Sequence, residues 1–206
     1  MVLVMGGVGL IASVILVATF QATTPYIEAN RRAYLERAIL DVIPGASHFT
    51  AFDIRDGAAV RTEEATGLYA GFDSTGRLAG VAIEARGQGY QDVIRLLYGY
   101  APACECIVGM KVLESKETPG LGDKIEKDAR FRSNFDSLDV RTGGPDRRLA
   151  NPVELVKSGS KENPWEIEAI TGATVSSKAV TNIIGSSAAE VIPTLRDQID
   201  ALRRQE

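Results

Sequence analysis

The chain is poor in the residues that most catalytic and metal sites require. Among 206 residues there is one histidine, His48, and there are two cysteines, Cys104 and Cys106. His48 stands in no Ser-His-Asp or Cys-His pattern, so nucleophilic hydrolysis has no support, and no acid/base pair stands out. Two thiols with a remote imidazole do not close a zinc or iron–sulfur site, so no metal centre is expected. Basic residues do not dominate either: 23 Lys and Arg face 27 Asp and Glu, a net charge of -4. No basic and aromatic stripe appears, which argues against nucleic acid as a partner. The phosphate-binding pattern G-x-x-x-x-G-K-[ST] is absent. Internal repeats and low-complexity segments are absent too.

Charge is missing altogether from one end. No charged side chain precedes Glu28, and Val2 to Phe20, VLVMGGVGLIASVILVATF, is almost continuously apolar. As a helix this stretch would rise roughly 28 Å, about the hydrocarbon thickness of a bilayer. A cleavable signal peptide would have a positive start and a shorter apolar core. The stretch therefore reads as a membrane anchor over residues 1–27, with the lipid bilayer as its surroundings. Arg31 and Arg32 follow the span, and the positive-inside rule taken literally would keep the following domain cytoplasmic; long domains obey that rule poorly, so charge leaves the side open.

The remainder is rich enough in apolar residues, 45% of the whole chain, to fill a core. In EANRRAYLERAILDVIPGA, Leu35, Ala38, Ile39 and Val42 share a helical face, and Pro44-Gly45 end it. From about Gly67 to Leu113 short β-rich runs alternate with glycine-containing turns, which predicts an antiparallel meander. GDKIEKDARFRSNF predicts a short helix. Residues 140–164, with Gly143-Gly144-Pro145 and Ser158-Gly159-Ser160, are loop-rich. WEIEAI predicts a strand. Beyond it Val180, Ile183, Ile184, Val191, Ile192, Leu195, Ile199 and Leu202 form a helical stripe, kinked or restarted at Pro193. The expected fold is α+β: one transmembrane helix, then a single domain with an antiparallel sheet flanked by helices. Cys104 and Cys106 fall in ECIVGM and the residues just before it, where a strand would place their Cα atoms close to 7 Å apart, at the outer limit for a disulfide. Two small apolar thiols packed on a strand are the expectation.

Two stretches carry chemistry. Between the WEIEAI strand and the helix lies Thr171-Gly172-Ala173-Thr174-Val175-Ser176-Ser177, four hydroxyls around one glycine. A helix start offers free N–H donors and a positive dipole end, so the turn could seat a phosphate. Equally, Thr174 or Ser176 could simply cap the helix. Upstream, Thr118-Pro119-Gly120-Leu121 has the Pro-Gly signature of a type II turn. Gly120 and Gly122 would present Leu121 from an uncluttered backbone, a surface suited to a flat aromatic ligand. Lys116, Glu117 and Lys124, taken singly, read as solvated charges.

Taken in order, the apolar span, GYQDVI from Gly89 to Ile94, ETPGLGDKI from Glu117 to Ile125 and TGATVSS resemble one family. It is the FMN-binding subunit family of the ion-pumping Rnf and Na⁺-translocating NADH:quinone reductase complexes, with the G subunits of Rnf most alike. The resemblance implies an FMN-binding domain over 67–206, preceded by a helical connector and domain start over 28–66. It implies covalent FMN, joined through its phosphate to Thr174 by a flavin transferase. Thr171, Gly172, Ala173, Val175 and Ser176 would line phosphate and sugar, with Glu117, Thr118, Gly120, Leu121 and Gly122 on the ring side. It further implies a soluble domain on the periplasmic side of the bacterial inner membrane. There the chain would relay electrons among the other membrane and peripheral subunits of an Rnf-type ferredoxin:NAD⁺ oxidoreductase. Two positions depart from the pattern: Glu168 stands where the attachment motif prefers Asp, and Ser115 where relatives often carry His or Asn. The quinone-reductase counterpart, a related FMN-binding regulator and a cofactor-free assembly module are the alternatives.

Overall fold

The computed structural model describes residues 1–55, 58–62, 67–144 and 148–203. Pro145 of the loop-rich stretch therefore lies outside the described residues. The chain forms two compact units, Met1–Arg37 and Ala38–Glu206.

Helix α1 covers Val2–Val42. Its N-terminal part is long and apolar enough to cross a membrane. Three of its hydroxyls bond within the helix: Ser13 donates to the Gly9 carbonyl at 2.8 Å, Thr23 to the Thr19 carbonyl at 2.9 Å and Thr24 to the Phe20 carbonyl at 2.7 Å. Side chains that return their protons to the preceding turn cost little in an apolar medium. The last turn, within the second unit, buries Ala38, Ile39 and Val42. Gly45, at φ 86°, follows the helix in the left-handed conformation.

The second unit is built on a seven-stranded antiparallel sheet. In chain order the strands are β1 (His48–Arg55), β2 (Ala58–Arg61), β3 (Leu68–Phe72), β4 (Leu78–Gln88), β5 (Val93–Ala101) and β6 (Cys106–Glu114). Two short helices follow, α2 (Lys124–Lys127) and α3 (Ala129–Ser133), and then β7 (Leu138–Asp139). The spatial order is β2-β1-β3-β4-β5-β6-β7. Two small pairs complete it: β8 (Thr142–Gly143) with β9 (Arg148–Leu149), and β10 (Glu154–Val156) with β11 (Glu166–Glu168), the latter pair parallel. Helix α4 spans Thr174–Leu202.

The meander is as expected from Gly67 onward, but the sheet reaches back to His48. The single helix predicted in GDKIEKDARFRSNF is two. Asp128 has extended backbone between them and caps the second, accepting from the Phe131 N–H at 2.9 Å.

Alternation along β5 assigns the two faces of the sheet. Tyr98 turns toward α4, where its hydroxyl lies 2.9 Å from the Ser187 hydroxyl. Val81, Ile83 and Ala85 of β4 pair with Tyr100, Tyr98 and Leu96, and so share that face. Against them α4 buries Val180, Ile184, Ile192, Leu195 and Leu202. The stripe runs through Pro193 without restarting. The carbonyl that this proline cannot serve belongs to Ala189, an exposed residue that water can reach. Gly99, next to Tyr98, faces the opposite way, and a Cβ there would overlap the Val42 carbonyl oxygen. Glycine at 99 is therefore what lets the end of α1 sit directly on the strand. Substitution Gly99→Ala is expected to lower the unfolding free energy of the full chain in detergent by about 1–3 kcal/mol in a urea titration, as other overpacked sites do.

Candidate functional site

The turn before α4 is closed by backbone geometry. The Ala173 N–H donates to the Ile170 carbonyl at 3.0 Å, and Gly172 sits at φ 82°. Ser177 locks the turn from inside the helix: its hydroxyl accepts from the Ile170 N–H at 3.1 Å and donates to the Ala173 carbonyl at 2.9 Å.

The register of α4 settles which residue occupies the cap position. The first helical bond runs from Ser177 N–H to Ala173 O, which makes Ala173 the cap residue and Thr174 the first helical one. Alanine has no oxygen with which to cap. Neither Thr174 nor Ser176 caps the helix, contrary to the simpler expectation. The N–H groups of Thr174, Val175 and Ser176 have no protein acceptor among the described residues. Beside them the Thr174 side chain is exposed and makes no protein hydrogen bond among the described residues. Three unspent donors at the positive end of a long helix, next to a free hydroxyl, are the groups that an anion would need.

Ser176 points the other way. It is 3% exposed, and its hydroxyl donates to Glu117 Oε2. Glu117 is not a solvated charge: it is 5% exposed. Its Oε1 accepts from the N–H groups of Tyr90 and Gln91 at 2.8 and 3.0 Å. Thus GYQDVI, ETPGLGDKI and TGATVSS, well separated in sequence, meet on one carboxylate. Two glycines make room for it. A Cβ on Gly89 would come within 2.5 Å of Oε1, and one on Gly122 within 2.6 Å of Oε2 and 2.8 Å of Ser176 Oγ. Gly122 is therefore buried against Glu117 and does not open the loop toward a ligand.

The outer part of that loop behaves as its sequence predicts. Leu121 N–H donates to Thr118 O at 3.1 Å across a turn with Gly120 at φ 80°. Asp123 accepts from Gly120 N–H at 2.7 Å and from Lys127 at 2.6 Å. The Lys127 hydrogen bond holds its carboxyl below the usual range. Leu121 is left 53% exposed, and Val175 at the start of α4 is 58% exposed.

A cleft of about 260 Å³ opens beside the turn, lined among others by Lys124, Arg130, Ser158, Glu168 and Thr171. Glu168 is occupied within it, binding Arg130 through both oxygens at 2.9 and 3.2 Å and accepting from Gly159 N–H. Lys124 brings positive charge to the wall that Thr171 shares. Lys116 pairs with Asp92 at 2.6 Å on the surface. Ser115 accepts from Glu117 N–H at 3.2 Å, and so steadies the loop from below.

The predicted residues thus form two layers. Thr171, Gly172, Thr174, Val175 and Leu121 are exposed, with Thr118 half-buried. Ala173, Ser176, Glu117 and Gly122 lie beneath. The sequence reading missed Ser177 as the turn lock and Tyr90 and Gln91 as donors. For the latter the signal is Gly89, a glycine with a left-over space that only a distant residue fills. Glu117→Ala would strand both donors and is expected to cost at least about 2 kcal/mol in urea unfolding. Glu117→Gln, whose carbonyl oxygen can still accept, is expected to recover most of that loss.

The comparisons with known proteins agree with this construction. Residues 89–188, which contain all three converging stretches, match the FMN-binding domain family. Over 155 residues the chain is 31% identical to the G subunit of the Na⁺-translocating ferredoxin:NAD⁺ oxidoreductase complex of Acetobacterium woodii, covering 71% of this chain and 69% of that one. Over 180 residues it is 28% identical to the G subunit of the ion-translocating oxidoreductase complex of Methanosarcina acetivorans, covering 86% and 85%. The crystal structure of NqrC from Shewanella oneidensis superimposes with a TM-score of 0.66 at 20% identity, over 84% of this chain and 99% of that one, a likeness of fold. An FMN-binding domain on this fold, in a sequence so close to these subunits, means that the chain belongs to the family of G subunits of Rnf-type ion-translocating oxidoreductase complexes.

Proposed function

We propose that the chain is a membrane-anchored electron carrier of such a complex, holding FMN through a phosphoester on Thr174. The observation that carries this reading is the exposed Thr174 hydroxyl beside the three acceptor-free N–H groups of residues 174–176. These residues fit a phosphate. The N–H groups donate to its oxygens, the helix dipole favours its charge, and Lys124 adds a cation on the adjoining wall. Gly172 and Ala173 keep side chains away from the approach. Leu121 and Val175 offer apolar surface on the loop and the helix start that Ser176 and Glu117 pin together. When bound, FMN supplies one- and two-electron transfer, and attachment through phosphate leaves the ring's electronics free. The protein's part is then to fix the group and exclude loose poses, which the buried layer under Thr174 does.

The apolar helix at the N-terminus would place this carrier at the membrane beside other subunits of the complex. The outer, periplasmic side is the proposed location of the domain. A disulfide between Cys104 and Cys106 supports that side, since such bonds persist outside the reducing cytosol.

Co-expression with a flavin transferase is expected to raise the intact mass by one FMN less one water, with fluorescence that survives denaturing electrophoresis. Thr174→Ala is expected to lose both signals and keep a folded circular-dichroism spectrum, whereas Thr174→Ser keeps the flavin. Flavin retained on the alanine variant after denaturation would move the attachment to another residue. For topology, protease added to intact spheroplasts is expected to cut the domain while a cytoplasmic control survives. Protection of the domain would reverse the orientation.

A further inference from the structure

Cys104 and Cys106 do not lie together on a strand as two packed thiols. Cys104 is in the turn between β5 and β6, Cys106 begins β6, and the two form a disulfide with Cα atoms 5.2 Å apart. The turn bends the chain more tightly than a strand would, which brings the sulfurs into range. We propose that this pair is a thiol–disulfide exchange site whose reactant is an accessible dithiol of another protein. The proposal does not depend on the flavin.

Three features set the bond apart from a structural staple. Its ring encloses a single residue, and a disulfide stabilises chiefly by restricting the unfolded chain, an effect that shrinks with the loop it closes. That enclosed residue, Glu105, is the one non-glycine with positive φ among the described residues, at 51°. A side chain held in the left-handed region is strained, and opening the ring removes one of the constraints that hold it there. Exposed or strained disulfides are the readily reduced ones. Moreover, the tip is tethered without the sulfurs. Arg196 of α4 reaches the Glu105 carboxylate at 3.1 Å, and Val140 N–H donates to the Glu105 carbonyl at 3.2 Å. The hairpin can keep its place while the bond opens.

The two sulfurs have unequal access, which sets the order of events. Cys104 is exposed, and Cys106 is 5% exposed. A thiolate of the partner dithiol attacks Cys104 Sγ, the intramolecular S–S bond breaks, and Cys106 leaves as a thiolate that takes up a proton. The partner's second thiol, losing its proton, then attacks the partner sulfur of the mixed disulfide. The partner departs oxidised, and Cys104 leaves as a thiolate and is protonated. Two electrons and two protons pass from the partner dithiol to the pair. The tip lies at the far end of β5 from the Glu117 carboxylate, roughly 30 Å along the strand, so the two sites can work without obstructing each other.

The test uses the full chain in detergent with dihydrolipoate as the dithiol probe, followed by maleimide labelling and mass analysis. Reduction in the folded state, followed by removal of the probe and labelling of the unfolded chain, is expected to give two labels, on Cys104 and Cys106, together with an unchanged thermal midpoint. In single variants, Cys104 of Cys106→Ser is expected to form a mixed disulfide with oxidised glutathione about tenfold or more faster than Cys106 of Cys104→Ser. A bond that resists the probe until the protein is unfolded would overturn the proposal, as would a large fall in thermal midpoint on reduction or equal rates in the two variants. Stoichiometric iron or zinc shielding both thiols in anaerobically purified protein would replace exchange by metal ligation.

Discussion

The carboxylate of Glu117 is where the second unit is tied together. It is buried, its charge is met by two backbone N–H groups and one hydroxyl, and each donor comes from a stretch remote from Glu117 in sequence. A buried carboxylate left without donors would be strongly unfavourable, so the loop after β4, the loop after β6 and the first turn of α4 are obliged to meet. Gly89 and Gly122 are consequences of that meeting. Both stand where any side chain would occupy the carboxylate's space. Ser176 is likewise committed inward, which leaves Thr174, two residues earlier on the helix, facing outward with nothing to bind inside the protein.

The division of labour among the hydroxyls follows from helical geometry. Thr174, Ser176 and Ser177 lie about 100° apart per residue around the start of α4. Ser177 meets Ile170 and Ala173, Ser176 meets Glu117, and Thr174 remains for solvent or ligand. A row of similar side chains is thus sorted into a lock, a strut and an exposed hydroxyl by position alone. The same register places Ala173 at the cap. It removes the intramolecular acceptor that would otherwise compete for the donors of the site.

Features set by near neighbours were legible in the sequence. The Pro119-Gly120 turn, the stop at Pro44-Gly45 and the stripe of α4 each rest on a few adjacent residues and appear as read. Long-range features were not. The burial of Glu117 depends on donors 26 and 27 residues away, and a charged residue between lysines gives no local sign of it. Strand β1 was missed because HFTAFDIR shows no clean alternation; Phe52 is fully buried while its neighbours are half exposed. The cysteines were misread because a strand was extended too far toward the turn. Where Cys104 turns instead, the spacing between the thiols shortens from strand length to bonding length. Pro193 was read as a kink or a restart; the helix does not restart, because one lost hydrogen bond on an exposed face is outweighed by the buried residues on either side of it.

An alanine where helices ordinarily place an oxygen leaves α4 electrostatically incomplete at its leading end. On the proposed reading, joining a phosphate to Thr174 does more than load a carrier: it provides the missing acceptors and completes the first turn of the core helix. An anion in that position adds about 0.3–1 kcal/mol at an exposed helix start, and up to about 2 when partly buried. Maturation and folding would then share a last step, and the empty chain would be distinguishable from the loaded one by how firmly that first turn is held.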